Sequence, residues 1–204
     1  MKSDILYRLM DATEALKNRL DDTKLLRYDA HFYFRISEGP DGKTNIYRRD
    51  TVKVKNLTHI DQPYRSQMDV LEDDVPSFYP LTIKTGATEY KIQPENLEIP
   101  CDRPHVRRFG VSGLTISGDR EFNVEWAYDL ADSEVENGWT VVTLGSLIMG
   151  LSIQAEYDES KFNVSVFSRN NPAEIDGHNW TFGDDQLWLP EQHFQVLWSR
   201  KEAQ

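Results

Sequence analysis

Two neighbouring segments of the chain, 28–37 and 45–55, carry tyrosines and cations spaced two residues apart. If they pair as strands with odd residues opposite odd residues, one face collects both residue types. Rings stack on bases and cations neutralise phosphates, so such a face suits single-stranded nucleic acid. The residues of this predicted nucleic-acid surface are Tyr33, Arg35, Tyr47, Arg49, Lys53 and Lys55.

The same register has a cost. It places Arg48 and Asp50 on the face that holds Phe32 and Phe34, where charges are unfavourable unless they are paired. A shift of one residue removes this conflict and breaks up the cationic face. The alternative interpretation is a solvated strand face whose cations protect a sheet edge.

A second basic cluster follows Cys101 and contains Arg103, Arg107 and Arg108. Guanidinium groups form paired hydrogen bonds with carboxylates and phosphates, so this cluster is a candidate anion site. Ion pairing with the acids of 119–136 explains it equally well.

Three carboxylate–histidine pairs have the spacing of potential metal ligands: His59 with Asp61, Asp176 with His178, and Glu191 with His193. None has a third ligand in its pattern, so no metal site is predicted. The segment 110–113, Gly-Val-Ser-Gly, falls short of the G-x-S-x-G nucleophile motif, and glycine-rich phosphate loops do not occur. We therefore assign no catalytic residue and no cofactor, and enzymatic activity is not expected.

Trp180 lies within a polar segment, 170–185, that the sequence predicts to be a loop, and Trp188 follows this segment. Tryptophans beside a loop either pack into a small core beneath it or anchor a protein partner. Trp198 alternates with Phe194 and Val196 and is expected in the core.

Charge is distributed unevenly along the chain, which has a net charge of −11. The segment 24–65 holds nine bases and five acids, whereas 119–162 holds ten acids and two bases. A folded molecule with two such poles is expected to steer partners, or to associate head to tail with itself.

Length and composition bound the remaining possibilities. A chain of 204 residues is expected to form one β-rich domain. Its single cysteine, Cys101, excludes an intrachain disulfide and a zinc site built on several thiolates. We expect no leader peptide, membrane span or membrane partner, and a cytoplasmic location.

The elements that position these residues follow from periodicity. Leucines at helical spacing over 3–22 predict an N-terminal amphipathic helix, which divides the chain into 1–22 and a β domain, 23–204. This helix either docks on the domain or forms an oligomer seam through Leu9 and Leu16.

From residue 28 onward the period is two, with hairpins predicted over 28–55 and 81–93 and a strand over 122–130. The segment 61–80, which is interrupted by prolines and rich in acids, is expected to connect these two hairpins. The predicted fold is mainly β (α+β), an antiparallel β-sandwich or flattened barrel with one N-terminal helix.

These observations favour a non-enzymatic protein-binding or assembly subunit, with a protein partner or a second copy of itself. Two alternatives stay open. One is nucleic-acid binding through 28–55, or an acidic inhibitor that imitates nucleic acid. The other is a ligand-binding or catalytic β-barrel.

Overall fold

The computed structural model describes residues 24–39, 42–130, 137–168, 173–183 and 187–201. The helix predicted over 3–22, with Leu9 and Leu16, lies outside these ranges. The protein is mainly β, with 68% strand and 3% helix, and its antiparallel sheets include a half-barrel. None of the helices in the described ranges has the length and apolar character needed to cross a bilayer.

The strands, in chain order, are β1 (Leu25–Glu38), β2 (Thr44–Asn56), β3 (Gln62–Leu71), β4 (Ser77–Phe78), β5 (Leu81–Thr85), β6 (Thr88–Ile92), β7 (Glu98–Ile99), β8 (Val106–Ile116), β9 (Glu121–Asp129), β10 (Asn137–Thr143), β11 (Ile148–Tyr157), β12 (Phe162–Ser168), β13 (Glu174–Asp176), β14 (Asn179–Thr181), β15 (Leu187–Trp188) and β16 (His193–Arg200). Two single-turn 3-10 helices, Glu72–Asp74 and Pro94–Asn96, follow β3 and β6.

A large sheet runs through the molecule in the order β13-β14-β11-β1-β2-β9-β5-β6, with β15 paired to β11 and β4 paired to β9. Its central strands alternate between buried and more exposed residues, so one face of the sheet is covered. The hairpins predicted over 28–55 and 81–93 are both present, and the strand predicted over 122–130 is β9.

Two small sheets face the buried side of the large sheet. The sheet β10-β16-β12 packs with β1 and β11 around a first core that contains Phe34, Ile153 and Phe194. The sheet β3-β8-β7 packs with β9 and β5 around a second core that contains Val124, Leu81 and Phe109. The large sheet is therefore shared by two separate cores.

Three expectations about the strands were wrong. β1 and β11 pair in parallel, although only antiparallel pairing was expected, because alternation along a strand looks the same for either direction. The segment 61–80 contains β3, since Pro63 lies near the start of an edge strand, where a missing N–H is tolerated. The predicted loop 170–185 contains the short hairpin of β13 and β14.

Candidate functional site

The hairpin of β1 and β2 adopts the register in which odd residues face odd residues. Tyr33 lies opposite Arg49 and Arg35 lies opposite Tyr47. A β-bulge between Tyr28 and His31 shifts the pairing, so that Lys53 lies opposite Tyr28. Tyr33, Arg35, Tyr47, Arg49, Lys53 and Lys55 thus share the outer face of the large sheet, away from both cores.

Three of the four cations of this outer face have partners within the chain. The guanidinium of Arg49 lies 5.2 Å from the centre of the Tyr33 ring, and that of Arg35 lies 5.1 Å from the centre of the Tyr47 ring. Nζ of Lys53 is 2.8 Å from a carboxylate oxygen of Asp29. A nucleic acid would have to compete with these contacts, and binding through this face stays a prediction.

Acidic strands border the basic hairpin on both sides. β9 places Glu121 opposite Lys55 and Asp129 opposite Tyr47, and β11 places Glu156 opposite Arg35. The basic segment and the acidic segment are therefore neighbouring strands whose charges mix on one face. They do not form separate poles there, because strands that are distant in sequence pair in the sheet.

Two tyrosine hydroxyls of β1 form hydrogen bonds with the acids of β11 and β9. The hydroxyl of Tyr33 donates a hydrogen bond to Glu156, and that of Tyr28 donates one to Glu121. Partial burial and these acceptors raise the pKa of each hydroxyl to about 12. Both rings are therefore neutral donors at physiological pH.

The charge conflict predicted for this register is present and is resolved by pairing. Arg48 donates from Nε and Nη2 to the two carboxylate oxygens of Asp50, at 2.7 and 2.6 Å. The guanidinium also lies 5.4 to 5.5 Å from the ring centres of Phe32, Phe34 and Tyr128. Arg48 is buried between these rings, and the side chain of Asp50 is 16% exposed. Burial raises the pKa of the Asp50 carboxyl, and Arg48 opposes that rise.

The second basic cluster forms ion pairs, but with other acids than those of 119–136. Arg107 contacts Glu98 at 2.6 Å and Arg108 contacts Asp69 at 2.6 Å. Arg103 also contacts Asp69, at 3.2 Å. The cluster lies at the start of β8, and the strands on either side of β8 supply these acids.

Trp180, within 170–185, and Trp188, just after it, are both buried in the first core. Trp180 is 4% exposed and Trp188 is 0% exposed. The Trp188 ring meets Phe182 edge to face, 5.1 Å between centres. The small-core interpretation is therefore the one present, because β14 and β15 pair with β11 and turn both rings inward.

The histidines form separate contacts. His59 lies 2.7 Å from Asp119, and His178 lies 2.7 Å from Glu159. Across the described ranges, no group of three or more histidine, cysteine or acidic side chains is arranged to hold a metal ion. His31 contacts the hydroxyl of Ser152 at 2.9 Å on the outer face, and burial lowers its pKa.

A cleft of about 910 Å³ opens on the covered side of the large sheet, between the two small sheets. Its floor consists of inward-facing residues of β1, β2 and β9, including Phe32, the Arg48–Asp50 pair and Trp126. One wall is residues 64–71 of β3, and the other is residues 140–143 of β10 with Leu144 after it. Because consecutive residues of each strand line the cleft, it is bordered by strand edges.

The hydrogen bonds of β8 show how β3 is oriented. Within an antiparallel ladder, successive residues direct their N–H and C=O groups alternately toward one neighbour and the other. Gly110 donates its N–H to Leu97 at 2.7 Å, on the β7 side. The preceding residue, Phe109, therefore directs its main-chain groups toward β3, where Met68 lies opposite.

It follows that Met68 directs its main-chain groups to β8, and that its neighbours direct theirs the other way, toward the cleft. These cleft-facing residues of β3 are Gln67, Asp69 and Leu71. A bond at the strand end agrees with this alternation, since Glu72 donates its N–H to His105 at 3.0 Å. In the described part of the chain, β3 has no strand on its cleft side.

The opposite wall, β10, also directs some of its main-chain groups away from its own sheet. Leu144 donates its N–H to Gln192 at 2.9 Å, so Leu144 faces the β16 side, and Val142 does so by alternation. Val141 and Thr143 therefore direct their main-chain groups away from β16. Within the described residues β10 is also an edge strand. Two unpaired strand edges thus border one cleft.

No protein-family model matches the sequence, and no curated protein matches it. Among solved structures, the chain is similar to a "putative protease" from Parabacteroides distasonis, with 10% identity and a TM-score of 0.49 over 85% of this chain and 40% of that chain. It is also similar to a "putative nutrient binding protein" from Legionella pneumophila, with 10% identity and a TM-score of 0.48 over 86% of this chain and 67% of that chain. The chain thus spans about two-fifths of the first of these. Neither likeness carries an argument about function.

Sequence reasoning missed the cleft walls. The signal for β3 was available, since Tyr64, Ser66, Met68 and Val70 alternate with polar residues, but Pro63 and the acidic stretch after Leu71 suggested a loop. The position of β10 at an edge depends on pairing that no local pattern reveals.

Proposed function

We propose that this protein is a non-enzymatic binding protein, or assembly subunit, that accepts an extended polypeptide segment in the cleft between β3 and β10. The segment would pair with an exposed strand edge and lie over the floor that holds Trp126 and the Arg48–Asp50 pair. A single observation carries the proposal: both walls of the cleft are strand edges whose main-chain groups face inward.

The physical basis is the demand of main-chain groups for hydrogen bonds. An exposed edge presents a row of N–H and C=O groups that a further strand can satisfy, and several recognition domains bind peptides in this way. Gln67 and Leu71 are four residues apart, so a partner strand would run along roughly 13 Å of β3.

The floor is suited to holding such a strand. Trp126 donates its indole N–H to the hydroxyl of Ser66 at 2.9 Å, which fixes the floor against the β3 wall. The Arg48–Asp50 pair adds polar atoms between the surrounding rings. A floor of rings with a few fixed polar groups is typical of binding sites.

The proposal is tested with peptides selected from a random ten-residue display library on the immobilised protein. Proline removes the N–H that a partner strand needs, so we compare Gln67→Pro on one wall and Val141→Pro on the other. We expect at least one of the two variants to bind the selected peptides about tenfold more weakly, as for one lost hydrogen bond and a steric clash.

Gln67→Thr and Val141→Thr serve as matched controls, because they change the side chain and keep the N–H. Both should bind within about twofold of the unchanged protein, a difference well under 1 kcal/mol. Amide hydrogen exchange should slow at the cleft-facing residues of the paired edge when peptide is added. Unchanged affinity in both proline variants, together with unchanged exchange at Gln67, Asp69, Val141 and Thr143, would contradict the proposal.

The finer expectations from the sequence stay proposals beside this one. Self-association through Leu9 and Leu16 and a cytoplasmic location are two of them. Sedimentation of the full chain at low and high salt, with Leu9→Glu and Leu16→Glu as a double variant, tests the first: a monomer at every salt concentration would rule it out.

A further inference from the structure

The cleft has a charge of its own, and its source is the β3 wall. Arg27 and Arg65 lie at one end of this wall, and neither has an ion-pair partner among the described residues. Nη2 of Arg27 lies 3.5 Å from the main-chain oxygen of Arg65, and its guanidinium lies 5.5 Å from the centre of the Tyr64 ring. Two cations are therefore held together where the free edge of β3 begins.

The acid on the same wall is already neutralised. Asp69 accepts two hydrogen bonds from Arg108, at 2.6 and 2.8 Å, and also contacts Arg103 at 3.2 Å. The hydrogen bonds from Arg108 lower the pKa of Asp69, which keeps this carboxylate ionised and paired. Among the side chains that line this side of the cleft, the cations Arg27, Arg65 and Arg103 outnumber the acid Asp69, although the chain as a whole has a net charge of −11.

The opposite wall does not compensate for this charge. Residues 139–143 of β10 and the following Leu144 read Trp-Thr-Val-Val-Thr-Leu and contain no ionisable side chain. Glu191, which donates its N–H to Leu144 at 2.8 Å, is an acid that lines this side of the cleft beyond the strand. An occupant that pairs with the β3 edge would therefore be selected by the cations on that side.

We propose, resting on the function proposed above, that the occupant is an acidic extended segment of another protein and that it pairs with β3. Because Arg27 already occupies the carbonyl of Arg65, the added strand pairs with Gln67, Asp69 and Leu71. Residues directly opposite each other in neighbouring strands share a face. An aspartate or glutamate of the segment then lies beside Arg65 and Arg27, where opposite charges attract.

The test uses three fluorescein-labelled eight-residue peptides that alternate valine with glutamate, threonine or lysine, and measures their affinities by fluorescence anisotropy. We expect the glutamate peptide to bind about tenfold more tightly than the lysine peptide, with the threonine peptide between them, since two cations contribute. The difference should shrink as salt rises.

Arg65→Glu should remove most of this preference, and Arg65→Gln should remove about half of it. Lys55→Glu is the matched control: it makes the same charge change on the outer face of the large sheet and should leave the preference unchanged. When the peptide amides are methylated one at a time, binding should weaken at every second position, because only those amides face β3.

The outcomes separate the two proposals. Equal affinity for the glutamate and threonine peptides, or an equal effect of Lys55→Glu, overturns the acidic occupant and leaves strand addition standing. If the protein alone forms a dimer that Arg65→Glu dissociates, the occupant is a second copy, and the inference of a foreign partner is wrong. If neither these peptides nor the selected ones protect cleft amides, both proposals fail.

Discussion

The inner and outer faces of the large sheet can be compared at two consecutive arginines of β2, Arg48 and Arg49. Arg48 points inward, lies among three rings and is paired with Asp50 through two hydrogen bonds. Arg49 points outward and lies over the ring of Tyr33. Both cations contact aromatic faces, but only Arg48 is buried with a carboxylate.

The difference shows that the same residue type has two energetic roles within one strand. A cation over a ring at a solvated face contributes modestly, because water competes for it. A buried ion pair is costly to form and still more costly to break, because removing one partner leaves the other charge buried without a counter-charge. We therefore expect substitutions of charged residues in the floor of the cleft to cost more stability than substitutions of cations on the outer face.

The largest expected effect is that of removing the buried cation. Arg48→Met keeps much of the side-chain volume and leaves Asp50 buried without its counter-charge. We expect a loss of roughly 3–5 kcal/mol in the free energy of unfolding. Arg49→Met is the matched change on the outer face, and it should cost less than about 1 kcal/mol. Urea denaturation measures both.

A double variant checks the cause. Arg48→Met with Asp50→Leu removes both charges, so no carboxylate stays unpaired, and most of the lost free energy should return. A double variant no more stable than Arg48→Met would show that packing around the guanidinium, and not the stranded charge, sets the cost.

The next effect is a change in pH dependence. Burial raises the pKa of Asp50 even beside Arg48, and without the guanidinium the pKa rises further. An acid whose pKa is higher in the folded than in the unfolded state favours folding as it is protonated. The stability deficit of Arg48→Met should therefore be greatest near about pH 7 and shrink toward about pH 5. A constant deficit over this range would mean that Asp50 stays ionised in the variant.

The comparison also shows what sequence could and could not predict. Alternation fixed the faces of β1 and β2, and the spacing of Arg48 and Asp50 placed both on one face. What alternation cannot supply is the identity of the neighbouring strand. The basic β2 pairs with the acidic β9, so two charge blocks that are separate in sequence are mixed in space.

The site was harder to predict than the faces for the same reason. A cleft between two strand edges arises from the order of strands in three sheets, which alternation along β3 or β10 does not reveal. Trp188 is a second example: a tryptophan after a polar loop is ambiguous until its two-residue strand is seen to pair with β11.

The smallest effect concerns the outer face and leaves folding intact. Tyr33 has a pKa raised to about 12 by partial burial and by its hydrogen bond to Glu156. Glu156→Gln removes the negative acceptor and keeps the side-chain size, so the pKa of Tyr33 should fall toward its ordinary value of 10.0 while the contribution of burial persists. Titration of ¹³C-labelled tyrosine by NMR follows this ring.

Tyr128 serves as the inner-face control, because its pKa is raised by burial among other residues and should not respond to Glu156. If Tyr33 kept its pKa in the variant, burial alone would account for the shift, and the hydrogen bonds of the outer face would be weaker than the geometry implies.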